Sequence, residues 1–176
     1  MKHVMPARTQ LKVRTVFNIL GPLASPAGAC FQVVGVSSPE IMELMANALL
    51  GLGLDHAFVV HGANGMDEVS ISSRTYVVEL RGGEIRQFVM TPEDFGIASA
   101  KIDAILGGDS ADNAKIIESV FRGEPGPRRD VVLLNAAPAI VAAGAASTWK
   151  DGIRLAAEAI DSGAVLRKLQ ELREFS

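Results

Sequence analysis

Cysteine is all but absent. The 176-residue chain carries one, Cys30, which excludes an internal disulfide, and its place in an apolar run reads as a buried, reduced thiol. Aromatic residues are scarce, at 5%, so a core has to be built from Ala, Val, Leu and Ile. Charge of one sign is nowhere concentrated. The 17 basic and 20 acidic residues are interspersed and leave a net charge of -3, which argues against a surface made for a nucleic-acid backbone. No apolar stretch reaches membrane-spanning length; even 131–146 is short and interrupted by Pro138 and Gly144. The first eight residues, Met-Lys-His-Val-Met-Pro-Ala-Arg, contain no apolar run of the kind a secretory leader needs. These absences lead to the expectation of a soluble, cytoplasmic protein without nucleic-acid or membrane partners.

What is present suits one α/β domain over residues 1–176. Hydrophobic residues make up 48% of the chain, enough for a sizeable core in a chain of this length. Residues 1–28 are rich in Arg, Pro and Gly, with a turn expected at Gly21-Pro22. The β-branched run 31–36 reads as a buried strand. Ser38 and Pro39 open a helix with apolar positions Ile41, Leu44, Met45, Ala48 and Leu49, and 57–60 is a second buried strand. A strand, a helix and a strand in that order suggest a parallel crossover. Segments 75–80 and 84–89, joined by Arg81-Gly82-Gly83, read as a hairpin. The C-terminal third is helical and Ala-rich: 112–122, then a buried helix over 130–146 after the Pro125-Gly126-Pro127 breaker, a segment capped by Thr148, and 164–173. The expected fold is a central mixed, largely parallel sheet flanked by helices.

Two places could carry chemistry. In 61–70, His-Gly-Ala-Asn-Gly-Met-Asp-Glu-Val-Ser, the carboxylates of Asp67 and Glu68 follow a Gly-rich loop at the C-terminal end of a strand. Ligands of open α/β sheets collect at that edge. Adjacent carboxylates suit Mg²⁺, a hard ion that shares its oxygen ligands with substrate phosphates, and Mn²⁺ is compatible with the same donors. They suit a solvated acidic turn equally well. The opening segment holds Arg8, Arg14, Asn18 and Gly21-Pro22. An Arg can grip a carboxylate in a bidentate pair and a Gly-Pro backbone can wall a flat ring; exposed arginines and a plain turn are the simpler account. His61, closing a buried strand, reads as a hydrogen-bonded structural residue. His56, beside Asp55, reads as a surface residue. No nucleophile elbow, Cys/His pairing or P-loop pattern occurs.

The segments 14–26 (RTVFNILGPLASP), 60–70 (VHGANGMDEVS), 129–137 (RDVVLLNAA) and 158–169 (EAIDSGAVLRKL) together resemble anthranilate phosphoribosyltransferases, in the family's order and across essentially the whole chain. The resemblance implies a pentosyltransferase of tryptophan biosynthesis, in which the amine of anthranilate displaces pyrophosphate from the ribose C1 of phosphoribosyl pyrophosphate (PRPP). It further implies Mg²⁺ held by Asp67 and Glu68, the anthranilate carboxylate held by Arg8, and an anthranilate channel lined by Gly21 and Pro22, so that 1–28 bears part of that site. Catalysis in the family rests on positioning and metal, with no covalent enzyme intermediate.

The chain departs from the family in several ways. Its Gly-Thr-Gly-Gly-Asp phosphate loop and N-terminal helices do not occur here, and Ser25 and Lys12 stand where Asn and Gly are common. The resemblance therefore implies the C-terminal part of a two-domain enzyme that is homodimeric when whole. The isolated piece is expected to be inactive and, with inter-domain surface uncovered, prone to self-association. Two alternatives are a pyrimidine nucleoside phosphorylase domain and a non-catalytic, nucleic-acid-binding relative of the same fold.

Overall fold

A computed structural model describes residues 20–24 and 27–175 of the chain. Its first element, α1 (Leu20–Leu23), is a single helical turn. The expected turn at Gly21-Pro22 is thus a helical one. Proline is tolerated there because the N–H it lacks has no partner in a first helical turn.

The strand β1 (Phe31–Gly35) is followed by a 3-10 turn at Pro39–Ile41 and the helix α2 (Met42–Gly51). Ser38 has the extended backbone of an N-cap, but its side chain makes no capping bond. The buried stripe of α2 is Met42, Met45, Ala46 and Leu49; of the expected positions Met45 and Leu49 are buried and Ile41 packs on the core, while Leu44 is exposed. The next strand, β2 (His56–Gly62), is buried along its whole length. It pairs in parallel with β1, which bears out the crossover.

The hairpin follows as β3 (Thr75–Arg81) and β4 (Glu84–Met90). Its two-residue turn, Gly82-Gly83, has φ of +56° and +85°, the backbone that matches strand twist and that favours glycine. The sheet order is β1-β2-β3-β4. It is mixed as expected, but only β1–β2 is parallel among the described strands; β2–β3 and β3–β4 are antiparallel. A hairpin occupies the half of the sheet where further crossovers would have kept it parallel.

Four helices complete the chain: α3 (Ser110–Phe121), α4 (Pro127–Ala142), α5 (Trp149–Asp161) and α6 (Ala164–Phe175). Thr148 caps α5 by accepting from the Asp151 N–H at 3.1 Å, as expected. Helix α4 begins three residues earlier than the sequence suggested, because Pro127 is its first residue and proline's fixed φ suits that position.

Alternation along the strands divides the core. Val34, Val36, Ala57, Val59, Val78 and Leu80 pack against α2 on one face. Phe58, Val60, Val77 and Met90 pack with Leu134, Val141 and Ala142 of α4 on the other. Trp149 joins that second layer, edge-on to Phe58 at 5.3 Å and stacked on Phe95 at 5.9 Å. A third cluster, including Val120, Leu133, Ala156 and Ile160, binds the helices to one another.

Two side chains depart from expectation. Cys30 is exposed, since it precedes β1, which lies at the edge of the sheet among the described strands and in which only Val34 is fully buried. His56 is buried, and its Nε2 lies 2.9 Å from Glu79 Oε1. Next-strand register, invisible beside Asp55 in the sequence, supplies that partner.

Candidate functional site at the end of the second strand

The site is built where β2 ends. The Gly62 N–H donates to Met66 O at 2.8 Å and the Gly65 N–H to Gly62 O at 2.8 Å, so the chain curls back immediately after the strand. The Ala63 N–H donates to Arg74 O at 2.9 Å, closing residues 63–74 into a loop. Ser70, buried, organises its second half. Its Oγ accepts from the N–H groups of Ser72 and Ser73, both at 3.1 Å, and its own N–H donates to Thr75 Oγ1 at 2.9 Å. Asn64 Nδ2 adds a bond to Ser72 Oγ at 2.8 Å.

Asp67 and Glu68 stand at the outer bend of this loop, both exposed. From below, Gly35 at the end of β1 supports the Asp67 backbone: a Cβ built on Gly35 would stand 1.6 Å from Asp67 O. Valine or alanine there would collide with the loop. On the other side, Asn135 of α4 holds Val69. Its Oδ1 accepts from the Val69 N–H at 2.8 Å and its Nδ2 donates to Val69 O at 2.9 Å. Asn135 falls within the family-like segment 129–137, but nothing in the sequence assigns it a role of its own. The signal, an amide within an otherwise apolar stretch, was present but unspecific.

His61 takes the structural role expected of it. It is buried, and its Nδ1 donates to Val36 O at 2.7 Å, which ties the end of β2 to the chain leaving β1. Its ring stacks on Tyr76 with centroids 6.4 Å apart, and Arg74 lies 5.7 Å from the centroid of that tyrosine ring.

The two carboxylates of the acidic pair act on one another. The Glu68 carboxyl is raised above the ordinary glutamate value, first by partial burial and then by the neighbouring charge of Asp67. No ion pair among the described residues neutralises either carboxylate. Nor do the described residues contain a group of three or more His, Cys, Asp or Glu placed to enclose a metal. Two carboxylates at an open bend therefore fit a hard divalent ion that draws its remaining ligands from water or a substrate; they do not fit a closed structural zinc site.

Of the other expected site residues, Arg8 lies outside the described residues. Gly21 and Pro22 lie in α1, and Pro22 O accepts from Gln32 Nε2 at 2.8 Å. Gln32 precedes Gly35 by three residues on β1, about 10 Å at the rise of a strand. Pro22 and Asp67 thus meet the same strand toward its opposite ends.

Comparison with known proteins gives the family. The anthranilate phosphoribosyltransferase of Symbiobacterium thermophilum is 50% identical over all 176 residues of the chain, which cover 52% of that protein. The Acetivibrio thermocellus enzyme is 47% identical, with 51% of it covered. The chain therefore spans about half the length of the curated relatives it matches. Among solved structures, anthranilate phosphoribosyltransferase from Thermus thermophilus superposes with a TM-score of 0.88 at 41% identity, over 97% of this chain and 50% of that one. The Saccharomyces cerevisiae enzyme in complex with PRPP and Mg gives 0.88 at 32% identity, over 97% and 49%. Residues 1–166 match the family described as "Glycosyl transferase family, a/b domain", and the chain belongs to that family.

Proposed function

We propose that this chain is the C-terminal α/β portion of an anthranilate phosphoribosyltransferase, a single domain over residues 1–176 that holds the metal and part of the anthranilate site. The observation that carries the reading is the Asp67–Glu68 pair: two carboxylates with no counter-charge among the described residues, Glu68 raised by burial and by its neighbour, on a loop fixed from β1 and α4. Relatives named for that activity, and a neighbour solved with PRPP and Mg, support it.

In this reading Asp67 and Glu68 hold Mg²⁺ in the presence of PRPP. The bound ion supplies charge neutralisation for the departing pyrophosphate. Arg8 grips the anthranilate carboxylate through its planar guanidinium, and Gly21 and Pro22 form a narrow wall against the ring. Aligning a weakly nucleophilic aromatic amine with the ribose carbon is itself a large part of the rate enhancement. His61 serves structure in this reading: it is buried and its Nδ1 donates to Val36 O. The phosphate grip belongs to the half of the relatives that this chain does not span, which also carries the helical N-terminal domain through which the whole enzyme forms a homodimer in the cytoplasm. On its own the chain has little or no activity.

The experiment is a Mg²⁺ titration of anthranilate consumption, with the chain complemented by the remaining half of the Symbiobacterium thermophilum relative. Asp67→Asn and Glu68→Gln each raise the Mg²⁺ needed for half-maximal rate by about tenfold or more, the scale on which metal sites respond to altered ligation. An unchanged Mg²⁺ requirement in both variants overturns the metal assignment.

A further inference from the structure

We infer that Asn135 is a positioning residue of the metal site, a half-buried amide through which helix α4 sets the direction of Glu68. The inference rests on the reading of Asp67 and Glu68 as Mg²⁺ ligands, and adds to it a residue that touches neither metal nor substrate.

Val69 directly follows Glu68, is 2% exposed, and lies in a loop where no strand ladder can serve its backbone. Its N–H and C=O would each be costly to bury unpaired. Asn135 answers both with one group, accepting from the Val69 N–H at 2.8 Å and donating to Val69 O at 2.9 Å. A carboxamide offers a donor and an acceptor side by side; Ala and Leu offer neither, and an ionised Asp only acceptors. The second Nδ2 hydrogen goes to Val131 O at 3.0 Å, one turn earlier in α4. The amide is thus held at three points, and 66 residues of chain separate it from the peptide it binds.

On the opposite side of the acidic pair, Gly35 presses against the Asp67 carbonyl. The two ligands' backbone is therefore gripped from a strand at Asp67 and from a helix one residue past Glu68. A bend held at both ends fixes the backbone from which both carboxylates project. It presents them to a cation without the entropy cost of ordering the loop first. Residues that orient ligands in this way change metal affinity by about ten- to a hundredfold when removed.

The test uses Asn135→Ala and the milder Asn135→Gln, which keeps the amide but displaces it by one methylene. Amide exchange on the chain itself should show the Val69 N–H losing protection in Asn135→Ala while the strand amides of β2 keep theirs. In the complemented enzyme, the Mg²⁺ for half-maximal rate should rise about tenfold in Asn135→Ala and less in Asn135→Gln, with the anthranilate KM unmoved. If Asn135→Ala does not fold, the Gln variant carries the same comparison. A lower melting temperature with an unchanged Mg²⁺ requirement would make Asn135 merely structural and overturn the inference. If Asp67→Asn and Glu68→Gln also leave the requirement unchanged, it is the metal reading that has failed, and the clamp falls with it.

Discussion

Gly35 and Asp67 meet with no room for a side chain between them: a Cβ on Gly35 would come within 1.6 Å of the Asp67 carbonyl oxygen and 3.2 Å of its Cβ. The last residue of β1 is therefore the floor beneath the acidic bend. A backbone contact of this kind links the parallel half of the sheet directly to the residues assigned to the metal.

Gly35→Ala should therefore do two things at once. Overpacking at a site this close costs about 1–3 kcal/mol, read as a lower melting temperature. The displaced Asp67 should also raise the Mg²⁺ requirement of the complemented enzyme. Thermal melts together with the Mg²⁺ titration check both, and a loss of stability without a change in Mg²⁺ dependence would confine Gly35 to packing.

The shift at Glu68 gives a pH dependence of definite sign. Burial and Asp67 raise its folded value above that of the unfolded chain. Its contribution to stability is thus fully present below the ordinary glutamate range and is lost as pH rises through the raised folded value. Glu68→Gln should melt higher than the parent at neutral pH, and the two should converge in acid. Melting curves across that range decide it; a Gln variant less stable at neutral pH would contradict the unneutralised pair.

His56 and Glu79 make a different kind of prediction, remote from the site. Their 2.9 Å contact is largely buried, so removing either partner leaves the other in a poor environment at a cost of about 1–3 kcal/mol. Denaturant unfolding of His56→Ala, Glu79→Ala and the double variant should show coupling, the double losing less than the sum. Strict additivity would mean the contact contributes nothing.

Ser70→Ala would leave the N–H groups of Ser72 and Ser73 without their acceptor. The expected loss is about 1–3 kcal/mol, with faster amide exchange confined to residues 70–74. Exchange spreading into β2 and β3 would show that the loop is not an independent unit.

How far these features could be read in the sequence depended on the distance over which they are determined. The hairpin was legible because Gly82-Gly83 encodes its own turn, and Thr148 because a cap acts on the next few residues. The acidic pair was visible as adjacent carboxylates after a strand, and the strand-helix-strand crossover followed from periodicity. What escaped depends on partners far along the chain. His56 looked exposed beside Asp55 until register brought Glu79 across, 23 residues on. Asn135 had no legible purpose until α4 was laid against Val69. Cys30 looked buried by composition, whereas its burial depends on β1 lying at the sheet edge. The parallel character of the sheet was overestimated for the same reason, since the hairpin's place beside β2 is a matter of assembly.

The most direct test of the central claim is the loss of anthranilate fluorescence in the presence of PRPP and Mg²⁺, measured with the chain alone and with the remaining half of a relative added. Turnover in the mixture, abolished by removing Mg²⁺ and little or none with the chain alone, is the predicted result. No turnover in the mixture, with both pieces folded and associated, would contradict the assignment of this chain as a working part of that enzyme.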